Sequence, residues 1–184
     1  DNVIVLSDNG VTDDGILRIT STSPSESYEF TNPSGILTIN AGDGDDVVTL
    51  SAVEPGSFSV LVNGQGGNDT VDASAINVAT KQNGSGGNDI LTGGTANDTL
   101  NGGSGEDWLI GGPGNDKLQG QGSSLDTLTG GLGDDTLDGG DGYDHISESG
   151  DVDFTATDTT LTGLGTDTLI DIQLIQLFGG SSDN

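Results

Sequence analysis

The stretch that decides the fold reads GGSGEDWLI GGPGNDKLQ over residues 102–119, two copies of one nine-residue unit. Each copy has glycine at its first, second and fourth positions, aspartate at its sixth and leucine at its eighth. Glycine reaches positive φ without steric cost, so the first six residues predict a turn that can aim several backbone carbonyls at one point. The last three residues alternate sides and bury only the leucine, as a short β-strand does.

The same register continues through seven consecutive units, at residues 84–92, 93–101, 102–110, 111–119, 121–129, 130–138 and 139–147. The sixth position is always aspartate, at Asp89, Asp98, Asp107, Asp116, Asp126, Asp135 and Asp144. The eighth position is always aliphatic. Three units depart from the glycine rule: Ser85 replaces a second glycine and Ala96 a fourth, and Gly120 is interpreted as an insertion before the turn at 121–125. We therefore expect the turn before Asp126 to be the weakest half-site.

This G-G-x-G-x-D-x-U-x pattern resembles the RTX calcium-binding proteins. The resemblance implies a roll in which two units make one coil, glycine turns bind calcium and short strands stack into two sheets. The predicted fold class is therefore all-β, a parallel β-roll or β-helix solenoid with glycine-rich calcium-binding turns.

Residue chemistry supports calcium independently of the resemblance. Coils stacked ~4.8 Å apart bring together aspartates that are two units apart. Two carboxylates at that spacing repel by roughly 3 kcal/mol at an effective dielectric near 20, and a cation between them reverses the sign. Calcium takes six to eight oxygen ligands at about 2.3–2.6 Å, so carboxylates and turn carbonyls can hold it together. The spacing predicts about five ions between two columns of aspartates, Asp89, Asp107, Asp126 and Asp144 in one, and Asp98, Asp116 and Asp135 in the other.

Other residues are predicted to belong to the calcium turns. The glycines are Gly84, Gly86, Gly93, Gly102, Gly103, Gly105, Gly111, Gly112, Gly114, Gly130, Gly131, Gly133, Gly139, Gly140 and Gly142. Asp46 and Asp69 precede the regular units and are interpreted as earlier turns of the same type, with solvated turn aspartates as the alternative. Asp153 continues the nine-residue spacing, but its surroundings have lost most glycines.

The charge balance restricts the partners and the folding of the chain. Thirty acidic residues against three basic ones give a net charge of −27. Such a chain is not expected to bind nucleic acid or an anionic membrane surface. Membrane insertion is not expected either, since no run approaches the ~20 apolar residues that a span needs. Its thin core and strong self-repulsion predict disorder without calcium and folding on calcium binding.

Three regions are predicted along the chain. Residues 1–83 are expected to form β-helix-like coils of wider period, with strands at 3–6, 16–19 and 36–39 and a self-match at an offset of 23 residues between 39–48 and 62–71. Residues 84–147 form the nonapeptide roll. Residues 148–184 are expected to be β-strands that cap the roll, with a further repeat beginning at 179–184, and the chain is expected to be a segment of a longer protein.

The predicted function is structural and not enzymatic. His145 and Ser147 could meet an aspartate, but no catalytic motif surrounds them. Ile90, Trp108 and Ile110 form an outward apolar ladder, either for packing between strands or for contact with a neighbouring domain or surface partner. The resemblance implies a calcium-binding module of a secreted or cell-surface bacterial protein, of adhesin, surface-layer or matrix type. The alternative is the secretion and folding module of an RTX toxin or secreted hydrolase whose catalytic domain lies outside this segment.

Overall fold

A computed structural model of the protein describes residues 2–8, 16–22, 25–31, 35–51, 58–122 and 124–179. These residues form strands and no helix, and so contain no helix that could cross a membrane. The strands are β1 (Val3–Asp8), β2 (Ile16–Thr22), β3 (Ser25–Thr31), β4 (Ile36–Asp43), β5 (Val47–Leu50), β6 (Ser59–Gly66), β7 (Thr70–Asp72), β8 (Thr80–Gly86), β9 (Ile90–Thr92), β10 (Thr99–Ser104), β11 (Trp108–Pro113), β12 (Lys117–Gln121), β13 (Thr127–Leu132), β14 (Thr136–Asp138), β15 (His145–Gly150), β16 (Thr155–Ala156), β17 (Thr160–Thr162), β18 (Thr166–Ile170) and β19 (Leu174–Gly179).

The strands build two stacked sheets. The first sheet has the order β19-β15-β13-β11-β9-β7-β5-β1-β2-β3, and the second has the order β16-β17-β18-β14-β12-β10-β8-β6-β4. From β4 to β15 the chain passes from one sheet to the other at every turn, so two successive strands make one coil. Equivalent strands of successive coils pair in parallel. The predicted parallel β-roll is therefore confirmed.

The coils become narrower along the chain. Ile39 pairs with Val62, as the sequence self-match predicts, and hydrogen bonds between equivalent turns here span 23 residues. The next two equivalent turns are 20 residues apart. In the nonapeptide region equivalent turns are 18 residues apart, or 19 where a coil contains one extra residue. Eighteen residues are two nonapeptides, so each coil in this region consists of two units.

The core contains one aliphatic side chain from each half-coil. In the first sheet Leu91, Leu109, Leu128 and Ile146 lie in one row, and all are fully buried. In the second sheet Leu100, Leu118 and Leu137 form the equivalent row. Gln82 extends this row beside Leu100, and its buried amide nitrogen donates to the Thr92 carbonyl at 2.9 Å. The inward position of the eighth residue is therefore confirmed.

The amino-terminal strands form at the predicted places, but not all belong to coils. β1 pairs in parallel with β5, and β4 with β6. In contrast, β2 is antiparallel to both β1 and β3, so the prediction that 16–19 is a parallel coil is wrong. Only residues 9–15 connect β1 to β2, whereas a parallel crossover needs a dozen residues or more.

The carboxy-terminal segment forms strands, as its β-branched residues predict. β18 pairs in parallel with β14, and β19 with β15, so residues 166–179 add one more coil to the roll. β16 and β17 continue the second sheet in antiparallel fashion beyond β18. The further repeat expected at 179–184 lies, apart from Gly179, outside the described residues.

Candidate metal centre

The aspartates at the sixth position stack in two columns, one along each edge where the chain passes between the sheets. Within a column, Oδ1 of each aspartate accepts the backbone N–H of its counterpart one coil earlier, at 2.7–2.9 Å in the regular coils. Column one contains Asp46, Asp69, Asp89, Asp107, Asp126 and Asp144, and column two contains Asp98, Asp116 and Asp135. Offsets of 18 and 19 residues thus bring together the same aspartates that the sequence pattern pairs.

The second carboxylate oxygen is buried and accepts no hydrogen bond in most of these aspartates. This holds for Oδ2 of Asp69, Asp89, Asp107, Asp116, Asp126, Asp135 and Asp144. Each of these residues is at most 3% exposed. A buried carboxylate oxygen without a partner costs several kcal/mol unless a positive group compensates it. A row of such oxygens along each edge therefore fits a row of bound cations.

The first glycine of each turn leaves space for these oxygens. A methyl group added to Gly84 would lie 2.1 Å from Oδ2 of Asp89 and 2.7 Å from the carbonyl oxygen of Gly102 in the next coil. At Gly111 the equivalent distances are 2.5 Å to Oδ2 of Asp116 and 2.7 Å to the Gly130 carbonyl oxygen. A carboxylate of one turn and a carbonyl of the neighbouring coil thus face the same space. These are the hard oxygen ligands that calcium prefers.

The second and fourth glycines are required by the backbone. In the turn at 102–107, Gly103 has φ of 116° and Gly105 has φ of 125°. A methyl group on Gly105 would also lie 2.0 Å from the carbonyl oxygen of Gly87, one coil earlier. The second position is more tolerant, because Ser85 occupies it at a φ of 85°.

Burial changes the acidity of the column carboxyls. Loss of water, together with the neighbouring carboxylates of the same column, raises the pKa of Asp107 and Asp116 to about 7. Burial also raises the pKa of Asp89 and Asp126 to about 6. The charged form is therefore poorly accommodated near neutral pH unless a cation takes the place of the proton.

One turn, at 93–98, departs from this arrangement. Here Oδ2 of Asp98 accepts the backbone N–H of Gly94 at 2.7 Å. The turn has Ala96 in place of the fourth glycine, and neither Gly94 nor Ala96 has positive φ. This turn packs on the irregular segment at 73–79, where Ile76 accepts the N–H of Thr95. Oδ2 of Asp98, unlike Oδ2 of the other column aspartates named above, thus already has a hydrogen-bond donor from the protein.

The turn before Asp126 differs from the prediction. Gly120 is not an insertion before the turn but its first glycine, since a methyl group there would lie 2.4 Å from Oδ2 of Asp126. Gln121 pairs with Gly103 at the second position, and the carbonyl of Ser124 faces Gly142 as fourth positions do elsewhere. The extra residue therefore falls between Gln121 and Ser124, and Asp126 keeps the regular environment.

A second correction concerns the glycines of the turn at 84–89. The sequence prediction includes Gly86, but a methyl group there would have only ordinary contacts, the nearest at 3.6 Å. The fourth-position role belongs to Gly87, which has φ of 121° and approaches the Gly67 carbonyl. The sequence prediction also missed the turn glycines Gly64 and Gly67. The signal was available, because residues 64–69 read GQGGND beside GSGGND at 84–89.

Both columns continue past their last predicted aspartates, Asp144 and Asp135, but not through Asp153. Asp153 is exposed, and the place after Asp144 is taken by Gln173, whose Oε1 accepts the Asp144 N–H. In column two, Asp167 follows Asp135 and accepts its N–H at 3.1 Å. Neither residue follows the nine-residue spacing, because the chain between β15 and β18 makes an excursion through β16 and β17.

His145 and the apolar ladder of Ile90 and Trp108 lie outside the columns. In the described part of the chain no three His, Cys, Asp or Glu side chains form a metal-binding group on their own. Nδ1 of His145 lies 3.1 Å from Oγ1 of Thr127, its cross-strand neighbour. In the apolar ladder, Ile90 pairs with Trp108, and the two side chains are 41% and 50% exposed.

Comparison with known families identifies the repeat. The model of the RTX calcium-binding nonapeptide repeat (4 copies) matches residues 38–52, 56–75, 83–118 and 122–146, just over half of the chain. The match therefore includes the turns of Asp46 and Asp69 as well as the regular units. Comparisons with curated proteins and with solved structures gave no match.

Proposed function

Because the chain belongs to the RTX calcium-binding nonapeptide repeat family, we propose that it is a structural module that folds on binding calcium, in a secreted or cell-surface bacterial protein of adhesin, surface-layer or matrix type. The observation that supports this most strongly is the row of buried Oδ2 atoms without hydrogen-bond partners. Repeats of this family are typical of secreted bacterial proteins. The proposal gives the chain no catalytic role.

Energetics support the coupling of folding to calcium. Burying one leucine for each half-coil contributes about 1.5–3 kcal/mol. The repulsion between two column carboxylates is of the same size, roughly 3 kcal/mol at ~4.8 Å and an effective dielectric near 20. The thin core therefore does not outweigh the carboxylates when these are charged and no cation is bound. Calcium converts the repulsion into attraction, so the ions and the folded coils form together.

We assign the ions by column. The regular pairs are Asp89 with Asp107, Asp107 with Asp126, Asp126 with Asp144, Asp98 with Asp116, and Asp116 with Asp135, which gives about five ions. Carbonyls of the turn glycines complete each shell. Asp46 and Asp69 would extend column one. Since the turn before Asp126 keeps the regular environment, we expect the pair that includes Asp98, and not that turn, to bind most weakly. Gly94 already donates to Oδ2 of Asp98.

The three regions receive different roles in this proposal. Residues 84–147 are the calcium-dependent roll. Residues 1–83 lead into it through wider coils and an antiparallel edge, and residues 148–184 cap its other end. The cap is supported by β18 and β19, which cover the last strands of both sheets.

A calcium titration followed by far-ultraviolet circular dichroism tests the proposal. In chelator the chain is expected to show little strand signal, and calcium should produce the strand signal cooperatively, whereas magnesium at equal concentration should not. Magnesium is smaller and demands stricter octahedral geometry, so it is the matched control for charge. A strand signal that is equal in chelator and in excess calcium would refute the coupling of folding to calcium.

A further inference from the structure

Glu148 lies just beyond the last residue that the family model matches, and it is a glutamate at a position where the repeat has glycine. It follows Gly130 by eighteen residues, so it stands where another unit would have its first glycine. It is part of β15, and only 2% of its surface is exposed. A glutamate is almost never buried to this degree unless a partner compensates its charge.

The two carboxylate oxygens of Glu148 have different surroundings. Oε1 accepts the backbone N–H of Gly130 at 2.5 Å and that of Gly131 at 3.3 Å. These two bonds fix the side chain so that it points back toward the preceding coil. Oε2 is buried and has no hydrogen-bond partner. Two neutral donors on one oxygen leave the other oxygen uncompensated.

Asp135 lies beside the same glycine that donates to Glu148, Gly130. A methyl group on Gly130 would lie 2.5 Å from Oδ2 of Asp135, and that oxygen is also buried without a partner. Asp167 closes the same end of the column, since its Oδ1 accepts the Asp135 N–H at 3.1 Å. Side chains from β15 and from the turn before β14 thus lie beside Gly130, and Asp167 of β18 holds the Asp135 backbone from the next coil.

We propose that Glu148 and Asp135 hold a further calcium ion at the carboxy-terminal end of column two, in a site that the nonapeptide pattern does not encode. The proposal rests on the proposed calcium binding of the regular turns. Here a side-chain oxygen of Glu148 acts where a regular turn would offer a glycine carbonyl. In the described residues no group of three acidic side chains forms a cage. Carbonyl oxygens and water would therefore supply the remaining ligands of the six to eight that calcium takes.

The ion would join the last coil to the roll. Asp167 directly precedes Thr168, which donates its N–H to the Asp135 carbonyl at 2.8 Å. A cation beside Asp135 and Glu148 therefore stabilises the register between β14 and β18. Its loss is expected to loosen residues 166–179 while the earlier coils stay folded.

The test compares bound calcium in the wild type and in Glu148→Gln by equilibrium dialysis and atomic emission. Glu148→Gln keeps the shape and the Oε1 acceptor but removes the charge. Asp158→Asn removes one charge from an exposed residue of the adjacent excursion and is the matched control. We expect Glu148→Gln to bind one ion fewer than the wild type and Asp158→Asn to bind the same number. In calcium, Asp158→Asn should give the wild-type strand signal, and Glu148→Gln should lose at most the part of it that residues 166–179 contribute.

The outcomes separate this site from the regular turns. If the wild type binds several ions and Glu148→Gln binds as many with equal affinity, Glu148 is only an end cap and the site is refuted, while the proposed function stands. If the wild type binds no calcium, both proposals fail. Should Glu148→Gln not fold, Glu148→Asp keeps the charge and withdraws the carboxylate by one methylene. It must then weaken one ion at least tenfold, and unchanged affinity overturns the proposal.

Discussion

Replacing Gly84 with alanine tests whether the first glycine of each turn exists to make room for oxygen atoms. The added methyl group would lie 2.1 Å from Oδ2 of Asp89 and 2.7 Å from the carbonyl oxygen of Gly102. Gly86→Ala is the matched control, two residues away in the same strand. Its methyl group would lie 3.6 Å from Oγ of Ser104 and 3.8 Å from the Gln65 carbonyl oxygen, which are ordinary contacts.

The two variants should move stability in opposite directions. Overpacking at Gly84 costs typically 1–3 kcal/mol, because neither the backbone carbonyl nor the buried carboxylate can withdraw cheaply. Gly86→Ala loses no contact and restricts the unfolded chain, which stabilises by about 0.4–1 kcal/mol at a compatible position. A cost of about 2 kcal/mol is roughly thirtyfold in the folding equilibrium constant. If about five ions bind on folding, this raises the calcium midpoint only about twofold.

Denaturant unfolding in saturating calcium measures this difference directly, with the calcium midpoint as the second readout. We expect Gly84→Ala to be less stable than Gly86→Ala by about 1.5–4 kcal/mol. Equal stability of the two variants would contradict the structural role of the first glycine. A larger loss in Gly86→Ala than in Gly84→Ala would show that the turn is built differently.

Three further predictions concern protons and ions. Because the folded-state pKa of Asp107 is raised to about 7, its protonation favours the folded state. Strand content in metal-free buffer should therefore increase as pH falls from about 7 toward 4. A strand signal independent of pH would contradict this. Asp107→Ala should weaken two calcium sites and Asp144→Ala mainly one at the end of the column, whereas His145→Ala should bind as many ions as the wild type; equal calcium numbers in all three variants would refute the columns. Ala96→Gly restores the fourth glycine of its turn, so a calcium titration should show severalfold higher affinity at the weakest pair. Unchanged affinity would contradict the role of the fourth glycine in this turn.

Much of the roll follows from the sequence because the nonapeptide is regular. The invariant aspartate and the aliphatic eighth position define both the turn and the strand, so the pairing of Asp89 with Asp107 and the burial of Leu109 follow from counting residues. The same regularity predicts the register of the two sheets. Repeat proteins are predictable in this way because each coil contacts only its neighbours.

The errors occur where the repeat is irregular. Gly120 was misplaced because one extra residue can fall on either side of a turn, and only the contact with Asp126 decides between them. The sequence does not distinguish Gly87 from its neighbour Gly86, because either of two adjacent glycines can adopt positive φ. Gln173 could not be found from spacing, because the chain between Gly150 and Thr166 leaves the roll and returns. In each case a contact between distant residues determines the structure.

The amino-terminal strands show a different limit. The alternating apolar residues at 3–6 and 16–19 predict strands but not their direction. Direction depends on the length of the connection and on which edge is open, so β2 joins the sheet antiparallel to β1.

Anomalous diffraction from calcium in crystals of the calcium-loaded protein tests the central claim most directly. The account predicts two rows of peaks, one along each edge of the roll, each peak beside the Oδ2 atoms of aspartates in adjacent coils, as between Asp89 and Asp107. Peaks confined to exposed acidic side chains, or an edge without calcium beside the buried carboxylates, would contradict it.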